Sequence, residues 1–188
     1  MMTEAQKGVA AIILACSIWG FAPLYYHALA EVGSFEMMAH RTIWTAVMFG
    51  LVATITRRWS EVRALLTGPD RWRILAAAAF IAFNWYLFIW AITADRAVEA
   101  SLGYYIYPLV SALLGVILFK EALRGLQAVA IGLAALAVAS LTWGLGVAPV
   151  VALALAISFA FYSAAKKRIA ASAMISVLVE VLIIAPPM

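Results

Sequence analysis

The chain has 188 residues, of which 67% are hydrophobic and only 12% charged, with a mean hydropathy of +1.04 and a formal net charge of +4. A soluble domain carries about a quarter charged residues, so this composition excludes an ordinary water-soluble fold. The net positive charge does not point to nucleic acid, because the basic residues are dispersed and no basic face or RNA-binding motif accompanies them.

In chain order, apolar segments run over 8–29, 35–56, 72–94, 99–119, 124–143, 147–165 and 172–186. Most are close to the ~20 residues needed to cross ~30 Å of hydrocarbon, and the last is shorter. They predict an all-α polytopic membrane protein with six transmembrane helices and the start of a seventh. The first segment is too long for a cleaved signal peptide and has no A-x-A site followed by a polar mature region. Between the second and third spans, Trp59, Val62, Leu65 and Leu66 fall at helical spacing opposite Arg58 and Glu61. This amphipathic stretch is expected to lie flat at the membrane interface, before Gly68-Pro69-Asp70 turns the chain. Trp59, Trp72, Trp143, Tyr25, Tyr26 and Tyr162 fall near span ends, where amphipathic rings prefer to sit.

The loops alternate in charge. Of 13 Lys and Arg, 11 lie at Lys7, Arg57/Arg58/Arg63/Arg71/Arg73, Lys120/Arg124 and Lys166/Lys167/Arg168. The intervening loops, Ala30–Ser34, Asp95–Val98 and Gly144–Val147, carry a single basic residue, Arg96. This asymmetry predicts a cytoplasmic N-terminus, with the lipid bilayer as the main partner. A soluble bundle of buried helices would not explain it. The one cysteine, Cys16, lies inside a span, so no intramolecular disulfide or CxxC metal site can form.

Hydrocarbon penalises polar groups, so those within spans carry the information. Ser17, Gly20 and His27 share a stripe on the first span, and Glu36 and His40 lie one turn apart on the second, with Arg41 beside them. Asn84 lies on the third. On the fourth, Ser101, Tyr104, Pro108, Ser111 and Gly115 form one stripe. Glu180 lies in the seventh. For Ser111 and Gly115, tight helix packing and cavity lining are the two readings. Pro23 and Pro108 each remove a backbone hydrogen bond and imply bends or a cavity. Arg41 either snorkels to the headgroups or is paired. Glu180 either bonds a neighbouring helix or meets Arg41 through a central cavity. With two histidines on different helices and no third ligand, neither a metal site nor a cofactor is expected.

The stretch NWYLFIWAITADRAVEASLGYYIYPLVSALLGVILFKEAL, Asn84 to Leu123, resembles RarD-like members of the EamA family in the drug/metabolite transporter superfamily. So do SIWGFAPLYYHAL at Ser17–Leu29, the E-x-x-x-H-R-x-x-W run of Glu36, His40, Arg41 and Trp44, Gln127, and the SFAFYSAAKKR segment ending at Arg168. The resemblance covers essentially the whole chain. It departs at Thr93 and Tyr107, where that family commonly shows Asn.

The resemblance implies ten helices in two inverted five-helix repeats. The first repeat would span 1–143 and an incomplete second one 147–188, so the chain reads as C-terminally truncated. It further implies a secondary transporter of the bacterial inner membrane, moving a small organic metabolite or drug by alternating access. The substrate-cavity candidates are Ser17, His40, Arg41, Asn84, Ser101, Tyr104, Tyr107, Pro108 and Glu180. If transport is proton-coupled, Glu180 and His40 are the titrating groups within spans. No P-loop is present, so ATP is not expected to drive this chain. A missing second half or a second copy would be the protein partner. The alternatives are a non-transporting fragment and a membrane-embedded lipid-modifying enzyme. The latter would need clustered Asp, His or Cys near one interface, whereas the only aspartates, Asp70 and Asp95, fall in loops of opposite charge character.

Single cysteines at Ala97 and Thr67 in a Cys16→Ser background test the topology. A membrane-impermeant thiol reagent is expected to label the first in intact cells and the second only after lysis. The reverse pattern would invert the orientation.

Overall fold

The computed structural model describes residues 3–120, 122, 125–145 and 149–186. Arg124, the Gly146–Val147 end of the third weakly charged loop, and Pro187-Met188 lie outside the described residues. The described residues form eight helices and no strand: α1 Glu4–Ala28, α2 Ser34–Ile55, α3 Trp59–Thr67, α4 Arg71–Thr93, α5 Ala97–Phe119, α6 Gly125–Leu145, α7 Val150–Lys166 and α8 Ala173–Ile184. Five of them, α1, α2, α4, α5 and α6, are long and apolar enough to cross a membrane. The next, α7, is apolar over 17 residues, about 26 Å at ~1.5 Å per residue. With 12 residues, α8 is about 18 Å long and does not span, as expected for the start of a seventh segment. The chain is an all-α polytopic membrane protein.

Local chemistry sets the ends. Thr3 caps α1 in a reciprocal box with Gln6, and Ser172 caps α8. Arg57, Asp95 and Lys120 turn the chain in the left-handed region after α2, α4 and α5, at φ near 56° in each case. Both internal prolines, Pro23 and Pro108, are absorbed within continuous helices. Cross-contacts fix which ends lie together. Ser34 Oγ meets Thr93 Oγ1 at 3.0 Å, and His27 Nδ1 lies 3.7 Å from Asp95 Oδ1, so the α1–α2 and α4–α5 turns share one face of the bundle. On the opposite, basic face, Arg58 Nη2 donates to Ser172 Oγ at 3.1 Å, which ties the start of α3 to the α7–α8 turn.

The packing centre is α4, with α7 seated against both α4 and α5. Small residues allow that seating. Ala152, Ala156 and Ala160 of α7 are fully or almost fully buried, and a Cβ on Gly103 of α5 would lie 2.9 Å from Leu155 Cβ and 3.0 Å from the Ala152 carbonyl. Lipid tails are as apolar as the helices, so such close approach is what favours helix over lipid contact. Around α4 two apolar clusters form. One joins Tyr26, Met38, Ile81, Phe88 and Leu155 towards the Ser34–Thr93 end. The other joins Ala53, Val62, Ile74, Ile175 and Leu178 towards the basic face.

The periphery is loose. Only Tyr26 of α1 is buried, and no described side chain of α6 is. The apolar side of α3 was expected to rest on the membrane interface. Of its apolar residues, Val62 and Leu65 are buried in the cluster holding Ile74 and Ile175. Trp59 and Leu66 remain exposed. Outside the spans, Arg58 grips Glu61 through Nε–Oε1 at 2.6 Å and Nη2–Oε2 at 2.7 Å. The hydrogen bonds to Arg58 hold the Glu61 carboxyl below the usual carboxylate range, and the same pairing raises Arg58.

Gly103→Val should therefore separate α5 from α7. The added side chain has no room, and overpacking of this kind costs about 1–3 kcal/mol. Thermal unfolding of the detergent-solubilised protein is expected at lower temperature for Gly103→Val and unchanged for Gly20→Ala, where a Cβ meets open space.

Candidate functional site

Three polar centres lie within the bundle. The first is Asn84, which is 1% exposed on α4. Its Nδ2 donates to the Leu155 carbonyl and to Ser158 Oγ, both at 2.9 Å, and Ser158 Oγ donates onward to Leu155 O at 3.1 Å. Asn84 thus clips α4 to α7. Beside it, Tyr107 OH meets Ser163 Oγ at 3.0 Å and ties α5 to α7.

The second centre is Glu180, wholly buried on α8. Lys166 Nζ lies 2.9 Å from its Oε1, Ser176 Oγ donates to Oε1 at 3.1 Å, and Tyr162 OH donates to Oε2 at 3.2 Å. Lys166 Nζ also donates to Tyr162 OH at 2.9 Å. The carboxylate therefore has a counter-charge and two hydroxyl donors, the condition under which a buried ion is tolerated.

The third is Arg41, half-buried on α2. Its guanidinium lies over Trp85 of α4 at 4.1 Å and over Trp19 of α1 at 5.0 Å. Tyr26 and Tyr104 are close enough to act on its charge. No carboxylate pairs with it among the described residues, and its Nη1 is buried without a hydrogen-bond partner.

An aromatic series connects the last two centres. Tyr26 packs edge-on to Phe88, Phe88 to Tyr104, and Tyr104 to Phe159, with ring centroids 6.3, 5.6 and 6.2 Å apart. Phe159 then contacts Tyr107 at 4.8 Å and stacks on Tyr162 at 5.6 Å, which reaches Lys166 and Glu180.

The geometry places the residues singled out in the sequence as follows. Arg41 and Glu180 do not pair directly: Lys166, one helical turn beyond Tyr162, takes the Glu180 carboxylate, and Arg41 is held by indole rings. Ser17 turns its hydroxyl back to the Ile13 carbonyl at 2.9 Å and is exposed. His40 is exposed, 4.0 Å from Glu36. The α5 stripe is split: Ser101, Tyr104 and Pro108 are exposed, whereas Gly115 is buried. Ser111 and Gly115 line a groove of about 400 Å³ between α5 and α7, with Ser163 and Lys166 across from them. Tyr26 and Tyr162, near the ends of α1 and α7, pack on the rings of Phe88 and Phe159. Sequence reasoning missed Trp19, Trp85, Tyr162 and Lys166 as parts of these centres. The i,i+4 spacing of Tyr162 with Lys166, and of Ser176 with Glu180, was the available signal.

The fold, with polar centres held inside a bundle of apolar helices, is that of a polytopic membrane protein. Residues 6–143 match the EamA-like transporter family, and the chain belongs to that family. It is 39% identical over 184 residues to an uncharacterized transporter of Vibrio cholerae, covering 97% of this chain and 61% of that protein. It is 40% identical over 184 residues to Protein RarD of Salmonella typhi, covering 97% and 63%, and 39% identical to Protein RarD of Escherichia coli, covering 97% and 62%. The chain thus spans a little over three-fifths of the length of these relatives. No solved structure matches it.

Removing one member of the buried pair should be costly. Glu180→Leu is expected to destabilise the solubilised protein by about 3 kcal/mol or more, by leaving Lys166 unpaired. Lys166→Met combined with Glu180→Leu should lose less than the sum of the single changes. Unfolding curves of the four proteins measure this, and additive losses would show that the pair contributes no coupling.

Proposed function

We propose that the chain works as, or as part of, a secondary transporter of the bacterial inner membrane that carries a small organic solute by alternating access, with its N-terminus in the cytoplasm. One observation carries the reading: an aromatic track runs between two ionic centres, the Arg41 cation towards one face and the Lys166–Glu180 pair towards the other. Hydrocarbon disfavours ionised side chains, and those found in spans usually mark solute or ion pathways. Rings along the track offer an apolar, adaptable surface to an organic molecule. The transporter-named relatives support the same class.

The repeat scheme is part of this proposal. Residues 1–143 make the first unit, of five spanning helices and the short α3, and 147–188 begin a second. Solute would bind between units near mid-membrane, and their relative rocking would expose it to either side. Membrane insertion against a second half or a second copy would complete the cavity.

Cells producing the protein should differ from vector controls in the distribution of at least one small organic solute between medium and cytosol, measured by mass spectrometry of both. Phe159→Ala, which interrupts the track, should reduce that difference by about tenfold at equal membrane abundance, the effect of roughly 1.4 kcal/mol. An unchanged solute distribution with the protein correctly inserted would overturn the proposal.

A further inference from the structure

The Arg41 centre lacks the counter-charge that Glu180 has. Lys166 neutralises Glu180 at 2.9 Å, but no carboxylate pairs with Arg41 among the described residues. Trp85 and Trp19 contact the cation through their π faces, which stabilises charge without occupying a single N–H donor. Nη1 is buried and unpartnered. The hydroxyl of the adjacent Thr42, also buried, is unpartnered too. Buried donors are almost always satisfied, and those that are not call for an explanation such as a bound group. A guanidinium supplies a planar fork of N–H donors that matches a carboxylate in bidentate fashion. Tyr26 reaches the Arg41 side chain from α1, and Phe88 links the Tyr26 and Tyr104 rings edge to edge, so aromatic surface adjoins the guanidinium whose Nη1 is left over.

We infer that Arg41 is the anchor for a small organic monocarboxylate, whose carboxylate takes the unpartnered Nη1 donors while its apolar body rests on the rings of Tyr26, Phe88 and Tyr104. A monoanion fits better than a dianion. Arg41 is a single cation, and among the described residues no second Lys or Arg joins it over Trp19 and Trp85. The inference rests on the transport reading for its physiological meaning, but binding itself can be read without transport.

The test is an equilibrium titration of the protein in phosphatidylcholine nanodiscs, followed by intrinsic tryptophan fluorescence. Trp19 and Trp85 flank the site and would report occupancy. Four probes are compared: benzoate, its neutral isostere benzamide, inorganic phosphate, and phosphatidylglycerol added to the discs. Benzoate is expected to bind saturably, and benzamide about tenfold or more weakly, as loss of a hydrogen bond between charged groups requires. Arg41→Gln should abolish the preference for benzoate. Because Arg41→Gln could also fail to fold, Trp19→Leu serves as a second variant: it removes a half-exposed ring and buries no new charge. It should weaken benzoate severalfold and leave thermal unfolding unchanged.

Equal binding of benzoate and benzamide would overturn the inference, as would benzoate binding that survives Arg41→Gln. A response to phosphate or to phosphatidylglycerol alone would also overturn it, in favour of an inorganic anion or a lipid headgroup. A protein that binds benzoate through Arg41 but moves no solute would support this inference and overturn the transport reading.

Discussion

A membrane helix gains little by leaving lipid for another apolar helix, so close backbone approach and internal hydrogen bonds must hold the bundle together. In this chain both are concentrated where α7 seats between α4 and α5. Gly103, Ala152 and Ala156 bring the backbones close, and Asn84 then reaches the Leu155 carbonyl and Ser158 across the remaining gap. The register so fixed has consequences at both ends. It stacks Phe80 on Phe161 and sets Phe159 among Tyr104, Tyr107 and Tyr162. One turn further along α7, it leaves Lys166 where it can fold back onto Tyr162 and Glu180. Were α7 rotated by a single residue, about 100° about its axis, Ser158 would leave Asn84 and Lys166 would leave the carboxylate.

The two ionic centres illustrate two ways of keeping charge inside a bundle. Glu180 is enclosed, and its stability comes from direct neutralisation by Lys166 with two hydroxyl bonds to the remaining oxygen lone pairs. Such a pair roughly balances its own desolvation and mainly fixes geometry. Arg41 is only half-buried, and ring faces replace a counter-ion. Cation–π contact contributes about 0.5–2 kcal/mol, and it leaves Nη1 without a hydrogen-bond partner. The first arrangement locks α7 to α8. The second leaves a cation that can respond to what approaches it.

Much of the architecture was legible in the sequence because period and length speak directly. Ala-rich α4 and the small residues of α7 read as spans, and the alternation at Arg57–Arg73 and Lys166–Arg168 separated loops from helices. Arg41, Asn84 and Glu180 stood out as polar groups in apolar surroundings, and the structure turns all three towards neighbouring helices. Their partners were not legible. Which face of α7 meets α4 depends on where Gly103 permits contact, and no local pattern in α7 encodes that. The hydroxyl of Ser17 shows a related limit. A serine in a span can satisfy its hydroxyl on its own helix, as Ser17 does at the Ile13 carbonyl, and then needs no neighbour.

Lys166 shows where charge counting loses information. It sits in the Lys166-Lys167-Arg168 cluster, and each member adds equally to the loop asymmetry that orients a membrane protein. Yet the three side chains part company. Lys167 and Arg168 lie over the Phe119 ring at the end of α5, at 4.3 and 5.1 Å. Lys166 turns inward to a fully buried carboxylate. The difference follows from position: residue 166 is the last of α7 and four residues beyond Tyr162, so its side chain runs back along the helix towards that ring. A basic residue at the end of a span can thus be both a loop charge and an interior counter-ion. Four residues is the spacing that lets a span-end lysine serve an acid on the next helix through an intervening tyrosine.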